Sequence, residues 1–362
     1  MYPFPVTLRH PHVPEAAPSP VDDRLPADRA LARLRRGERL LYTGDYRNAR
    51  QLLSALARRL EWRPRNTKGV GVRELFLSER AAKGREATLL SGVRVELDAS
   101  LRLRCANAPD VAEACRVAWG ADAGARQVPL RELLGVLGSW EWQRKGIPVA
   151  ALDGRAVHPH YGVFGPVRQE YVGLVGAAPA PRGLRVFDVG TGTGVLSLVL
   201  ARAGAREVVA TDIEPRAVAC ARENVERFGL GARIRVQQAD LFPEGAADRV
   251  VFNPPWLPLR PHSPIESALY DADHQLLRRF LQGVRAHLSP GGEAWIVLSD
   301  LAVRLGLREA GALERWWTDA GLQLAWRKDT HPTHKRAADE GDPLHAARRA
   351  EVTTLFALTA VR

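Results

Sequence analysis

Arg185-Val186-Phe187-Asp188-Val189-Gly190-Thr191-Gly192-Thr193-Gly194 begins as an apolar, β-prone run and breaks into a loop with glycine at every second position. Val195-Leu196-Ser197-Leu198-Val199-Leu200-Ala201 follows with a helix pattern, so the segment reads strand, tight turn, helix. Gly190, Gly192 and Gly194 suit a turn whose backbone passes close to a ligand or takes positive φ, where a Cβ would clash. A dinucleotide fingerprint needs G-x-G-x-x-G, and its third glycine would fall on Val195. Asp188, two residues before the first glycine, would repel a pyrophosphate and attract an ammonium group. The loop thus fits a ligand with an amino-acid end and a nucleoside end, and a nicotinamide oxidoreductase is disfavoured.

Working outward, Glu207-Val208-Val209-Ala210-Thr211-Asp212 reads as the next strand. It ends in an acid roughly 20 residues past the glycine loop, where α/β nucleoside binders place the carboxylate that accepts ribose hydroxyls. Glu214-Pro215 opens a helix, because proline is tolerated in a first turn. Ile234-Arg235-Val236 is a third strand, leading to Ala239-Asp240-Leu241-Phe242, a carboxylate beside apolar residues that suits an adenine amine and its ring. Arg249-Val250-Val251-Phe252 is the fourth, ending at Asn253-Pro254-Pro255-Trp256. An amide or aniline-like nitrogen is a poor nucleophile, because its lone pair is delocalised. If the Asn253 side-chain oxygen and the Pro254 carbonyl each accept one N–H, that lone pair is held on line for attack. Pro254 and Pro255 stiffen the turn and remove competing donors. Trp256 offers a flat face for a nucleobase or a planar amide.

Asp188-x-Gly-x-Gly-x-Gly, Asp212, Asp240 and Asn-Pro-Pro-Trp, in that order and each at a strand end, resemble a class I S-adenosylmethionine-dependent methyltransferase of the "methyltransferase small" group. That group includes rRNA guanine-N2 and release-factor glutamine methyltransferases. The resemblance spans roughly residues 155–325. It implies a Rossmann-like, seven-stranded doubly wound α/β sheet that binds S-adenosylmethionine. Asp188, Gly190, Thr191, Gly192 and Gly194 would meet the methionine end, Asp212 and Ile213 the ribose side, and Asp240 and Leu241 the adenine. Asn253 would touch cofactor and target alike, with Pro254, Pro255 and Trp256 completing the catalytic turn. The implied function is N-methylation of a planar sp² nitrogen, with an exocyclic base amine of RNA favoured. A protein glutamine, as in release factors, is the alternative, and a non-catalytic cofactor-binding scaffold a more remote one.

The chain of 362 residues predicts two domains. Residues 1–26 carry Pro3, Pro5, Pro11, Pro14, Pro18, Pro20 and Pro26 and read as an irregular tail. Residues 27–150 read as an α+β accessory domain for substrate recognition, and residues 151–362 as the methyltransferase domain. The front domain is expected to begin with helices through Leu31 and Leu34 and through Leu52, Leu53 and Leu56. Gly92–Leu97 and Leu101–Arg104 alternate like two strands of a hairpin or small sheet.

Charge is uneven. Residues 1–150 hold 26 Lys and Arg against 17 Asp and Glu, a net +9, whereas residues 151–362 hold 26 against 24, a net +2. A basic region beside a near-neutral catalytic one favours a nucleic-acid substrate through counterion release. Forty-seven of the 52 basic residues are Arg, which also fits compositional bias. Arg63–Gly69 is the expected phosphate-contacting loop. Tyr161, Phe164 and Arg168, just upstream of the glycine loop, and His331 and His334, between the last two strands, are candidate substrate contacts. His158 and His160 lack a third ligand nearby, so no metal is expected. Cys105, Cys115 and Cys220 read as reduced thiols, and no apolar run reaches the ~18 residues of a membrane span, so a cytoplasmic protein is expected.

Overall fold

The computed structural model describes residues 17–62, 69–120, 124–261, 266, 268–332 and 339–361. The loop expected to grip phosphate is outside these residues from Arg63 to Lys68, as is His334. Two units divide the chain, one of Met1–Arg63 and Glu79–Gly138, the other of Pro64–Ser78 and Ser139–Arg362. The division falls twelve residues before the expected one at 150, and a short early piece of chain belongs with the later unit.

The first unit holds strands β1 (Ser19–Val21), β2 (Leu40–Tyr42), β3 (Val93–Leu97) and β4 (Arg126–Pro129) in that spatial order. β1, β2 and β3 run parallel and β4 antiparallel. Helices α1 (Ala27–Arg35), α2 (Tyr46–Leu60), α3 (Val72–Ser91), α4 (Ala112–Trp119) and α5 (Leu130–Lys145) connect or follow them, α3 and α5 crossing from one unit to the other. α1 buries Leu31 and Leu34, and α2 buries Leu52, Leu53 and Leu56, as their spacing requires. Asp45 caps α2 by accepting from the Arg47 and Asn48 amides. The expected pairing forms only at its tip, where the Arg104 amide donates to the Glu96 carbonyl and the Asp98 amide to the Arg102 carbonyl. Leu101 adopts φ 61°, and the Asp98 carboxylate accepts from the Ser100 and Arg102 amides, so the chain turns tightly there and the pairing is limited to one antiparallel bridge, Leu97 to Leu103. β4 pairs with the other edge of β3, with Leu97 opposite Arg126.

The second unit starts with a small antiparallel ribbon, β5 (Ile147–Pro148) and β6 (Ala156–Val157), and α6 (Glu170–Gly176). Then come β7 (Arg185–Val189), α7 (Val195–Arg202), β8 (Glu207–Asp212), α8 (Pro215–Arg227), β9 (Ile234–Gln238) and β10 (Ala247–Phe252). The chain closes with α9 (Gln275–Val284), β11 (Leu288–Ser299), α10 (Leu301–Arg304), α11 (Ala312–Asp319), β12 (Leu322–Thr330), α12 (His345–Arg349) and β13 (Thr353–Ala360). The seven strands lie in the order β12-β13-β11-β10-β7-β8-β9, with β13 antiparallel to both neighbours. This is the expected doubly wound sheet. Alternate residues of β11 feed the two faces: Trp295 and Val297 join the core with α6, α7 and α8, while Ala294, Ile296 and Leu298 join the core with α9 and α11. The order reverses between β7 and β10, so their C-terminal ends open the crevice where α/β sheets hold ligands. Phe76 of α3 packs within this unit against Leu305 and Leu344, with Leu257 and Leu259 against the same cluster.

At the far ends of the strands from this crevice, one carboxylate holds the sheet together. Glu293 accepts from the indole N–H of Trp295 at 2.9 Å and of Trp326 at 3.1 Å, and pairs with buried Arg249 at 3.4 Å. The Arg249 guanidinium also lies 3.7 Å from the Trp295 ring centroid. Removing the carboxylate in Glu293→Ala leaves a buried cation and two indole donors without their acceptor. The variant should lose ~3–5 kcal/mol of stability, read as a lower urea midpoint, with cofactor affinity of the folded fraction unchanged.

Candidate active site

The glycine loop is built as its spacing requires. Gly190, Gly192 and Gly194 adopt φ of 65°, 54° and 82°, a region that L-residues with a Cβ rarely enter. A Cβ on Gly194 would stand 3.3 Å from Ala221 of α8, whereas one on Gly192 would meet nothing within 4 Å. The first therefore permits helix packing, and the second leaves open space above the backbone. The loop is pinned to β8, with the Thr191 amide donating to the Thr211 carbonyl and the Gly192 amide to Asp212 Oδ2 at 3.0 Å.

Asp188 is 1% exposed, and its Oδ2 accepts from Thr191 Oγ1 at 2.6 Å, Ser197 Oγ at 2.6 Å and the Ser197 amide at 3.0 Å. All three donors address one oxygen, so Oδ1 is the one left for a ligand. Burial pushes the carboxyl pKa up to about 6 despite these bonds. Thr191, expected at the cofactor, instead spends its hydroxyl orienting Asp188. Burial also raises the pKa of Asp212, whose Oδ1 accepts from the Glu214 amide and Oδ2 from that of Gly192. Ile213 beside it is 56% exposed, an apolar side chain standing where a flat ring could cover it.

Asp240 is exposed and pairs with Arg279 of α9 at 2.7 Å. Leu241 is buried at φ 69°, its carbonyl held by Thr211 Oγ1. Phe242 stacks on Phe280 and His287.

The Asn253-Pro254-Pro255-Trp256 turn stands at the end of β10, paired on one side with β7 and on the other with β11. Pro254 and Pro255 are buried, and Asn253 and Trp256 partly exposed. The Trp256 indole N–H donates to Asn253 Oδ1 at 3.1 Å. That oxygen has two lone pairs, so one acceptor position remains. The Arg168 guanidinium lies 5.3 Å from the Trp256 ring centroid, so one face expected for stacking is covered.

Upstream, the segment from His158 to Phe164 lies on α8. The His158 amide donates to Asn224 Oδ1, His160 Nε2 lies 2.7 Å from Glu223 Oε2, and Val163 packs with Ala217 and Cys220. Tyr161 faces the Arg216 guanidinium at 5.8 Å, in the first turn of α8 beyond Asp212. Phe164 is partly buried in the same segment. His331 is exposed just past β12, whose end lies at the same end of the sheet as that of β10 but three strands away. Sequence reasoning passed over Asn224, which is fully buried and whose Nδ2 donates to the carbonyls of His158, Thr193 and Cys220. A signal was present: Asn224 falls on the buried face of α8 with Val218, Ala221 and Val225, a polar residue on an apolar stripe.

The family model of the methyltransferase small domain matches residues 173–309, a span that contains the glycine loop, Asp212, Asp240 and the Asn253 turn. Over that span the chain is similar to the methyltransferase small domain. Within curated relatives, the match is 33% identical over 165 residues to the release factor glutamine methyltransferase of Cereibacter sphaeroides, covering 41% of this chain and 59% of that protein. It is 34% identical over 135 residues to the tRNA1(Val) (adenine(37)-N6)-methyltransferase of Bacteroides fragilis, covering 34% and 56%. A shorter stretch of 71 residues is 48% identical to the ribosomal protein L11 methyltransferase of Symbiobacterium thermophilum, covering 20% and 23%. The chain therefore spans between 23% and 59% of the length of these relatives. The substrates in their names differ from one another: a release factor, a tRNA and a ribosomal protein.

Proposed function

We propose that this chain transfers the methyl group of S-adenosylmethionine to a planar sp² amino nitrogen, with an exocyclic base amine of RNA as the favoured target. The observation that carries the reading is the Asn-Pro-Pro-Trp turn at the end of β10, one strand away from the Asp188 glycine loop at the end of β7. Acceptors for an amine and a cradle for an amino-acid nucleoside thus open on one crevice. The open space over Gly192, the free Oδ1 of Asp188 and the exposed Ile213 fit that cofactor. Asp188 would take the ammonium, Asp212 the ribose hydroxyls, Ile213 a face of the adenine and Asp240 its amine, through the oxygen that Arg279 does not occupy. When bound, S-adenosylmethionine supplies an electrophilic methyl on its sulfonium.

Asn253 Oδ1 and the Pro254 carbonyl would each accept one N–H of the target, holding its lone pair toward that methyl. No side-chain base is needed, because the nitrogen becomes acidic once methylated and sheds a proton to water. A base within a duplex would first have to be flipped out, at a cost of a few kcal/mol.

The net +9 of residues 1–150 supports RNA, since ion pairs such as Arg33 with Glu38 and Arg59 with Asp28 consume acids and bases equally and leave the excess intact. The release-factor relative, with the longest aligned stretch of the three, favours a second reading in which the same acceptors hold a glutamine carboxamide. Labelled S-adenosylmethionine added with the protein to a lysate lacking it separates the two. Label lost to RNase and retained after protease is the expected result. Label lost to protease instead would replace RNA by protein as the substrate.

A further inference from the structure

Trp256 is held by more than its own turn. The Arg168 guanidinium lies over its indole, and Arg168 Nη2 donates to Glu351 Oε1 at 3.2 Å. Glu351 is 1% exposed, and the same oxygen accepts from Ser299 Oγ at 2.7 Å, at the end of β11. Glu170 Oε2 stands 3.8 Å from Arg168 Nε, a second carboxylate steering the same guanidinium. The chain of contacts therefore runs from a buried carboxylate fixed to the sheet, through a guanidinium and an indole, to the amide oxygen of Asn253.

An indole N–H can only donate, so it distinguishes the two ends of the Asn253 amide and turns Oδ1, not Nδ2, toward itself. With the amide so oriented, the second lone pair of Oδ1 is the acceptor available to the target nitrogen. A free amide could rotate and present Nδ2, which would repel an amine donor. We propose that Arg168 and Glu351 are positioning residues that act through Trp256 to fix the orientation of the Asn253 amide. This rests on the methyl-transfer reading above. Arg168, expected to contact the substrate, accordingly serves the catalytic turn.

A relay of this kind should behave as one unit. Arg168→Met should lower kcat on the label-accepting RNA fraction by ~10-fold with KM nearly unchanged, since orientation within the bound complex is what is lost. Trp256→Phe should have a similar effect, and the double variant should stay near ~10-fold instead of reaching the ~100-fold of two independent losses. Glu351→Ala should reproduce Arg168→Met, and Glu351→Gln, which keeps an acceptor, should recover most of the activity. S-adenosylmethionine affinity should be the same in all of them.

The nine indole N–H resonances of ¹⁵N-labelled protein give a readout independent of any substrate, with that of Trp256 assigned by its loss in Trp256→Phe. In Arg168→Met and Glu351→Ala the Trp256 resonance should shift and its hydrogen exchange accelerate, with the other resonances in place as proof of folding. An undisturbed Trp256 resonance, or losses in kcat that multiply, would overturn the relay. If the wild-type protein transfers no methyl group, the methyl-transfer reading fails, and the resonance still decides whether Arg168 holds Trp256.

Discussion

Replacing Asn253 by Ala should reduce methyl transfer on the order of 10³-fold while S-adenosylmethionine binds with wild-type affinity, as measured by single-turnover kinetics beside titration calorimetry. Loss of one preorganised hydrogen-bonding group typically costs about 10²–10³ in rate. Here the same loss also frees the Trp256 indole, whose N–H loses its acceptor. Binding should be spared because the acceptors proposed for the cofactor, Asp188, Asp212 and Asp240, lie at or just past the ends of β7, β8 and β9 rather than of β10. The fold is spared as well, since Asn253 is partly exposed and the buried members of the turn are the two prolines. Asn253→Asp keeps an oxygen toward the amine and should fall between wild type and Ala. Unchanged turnover in Asn253→Ala would remove the turn from the chemistry.

Asp188→Asn should move the two properties in opposite directions, weakening S-adenosylmethionine binding roughly 100-fold while raising the melting temperature. The charge-assisted bond to an ammonium contributes about 2–3 kcal/mol, and an amide cannot supply it. Stability moves the other way because burial raises the Asp188 pKa to about 6, above the ordinary carboxylate range. A carboxyl with a raised folded pKa favours the folded state fully below its unfolded pKa and loses that advantage as pH rises through about 6. At neutral pH the wild type therefore carries a buried anion that the neutral amide of the variant avoids. The gain should be ~1–3 kcal/mol at about pH 7 and should vanish near pH 4, which melting curves at both values would test. Wild-type cofactor affinity should fall below about pH 6 as the carboxylate protonates, and the variant should show no such dependence. A variant that is less stable at neutral pH would mean that the hydrogen bonds from Thr191 and Ser197 to the carboxylate outweigh the buried charge.

The strand ends that carry the proposed cofactor contacts were legible because each such residue closes a strand and opens a turn, so candidate chemistry and local structure are written in the same few positions. Asp188 and Gly190 to Gly194, Asp212, and Asn253 to Trp256 all fall at the ends of adjacent parallel strands. The seven-stranded sheet was implied by the resemblance that these motifs carry, and its strand order came from the structure. What escaped was fixed by contacts distant along the chain. Arg168 and Glu351 are 183 residues apart, and neither neighbourhood announces the other. Arg168 thus read as a substrate contact, when its position is governed by a carboxylate near the last strand. Asp240 looked like a free adenine ligand because Arg279, 39 residues later, cannot be paired with it from spacing. In the front unit the alternation at 101–104 was real, but a left-handed Leu101 and the Asp98 turn decided the local path, and periodicity carries no trace of either.

The assignment of residues 64–78 to the later unit has a consequence for how the protein is made. Phe76 reaches its place only after Leu305 and Leu344 have been synthesised, more than 200 residues downstream. Chains emerge N-terminus first at about 5–20 residues per second, so this apolar side chain waits on the order of ten seconds or longer for its partners. During that interval the start of α3, Val72 to Ser78, is an open end of an unfinished unit, and its apolar residues are free to meet other surfaces. Translation speed and early chaperone contact should bear on the yield of this protein more than its equilibrium stability would indicate.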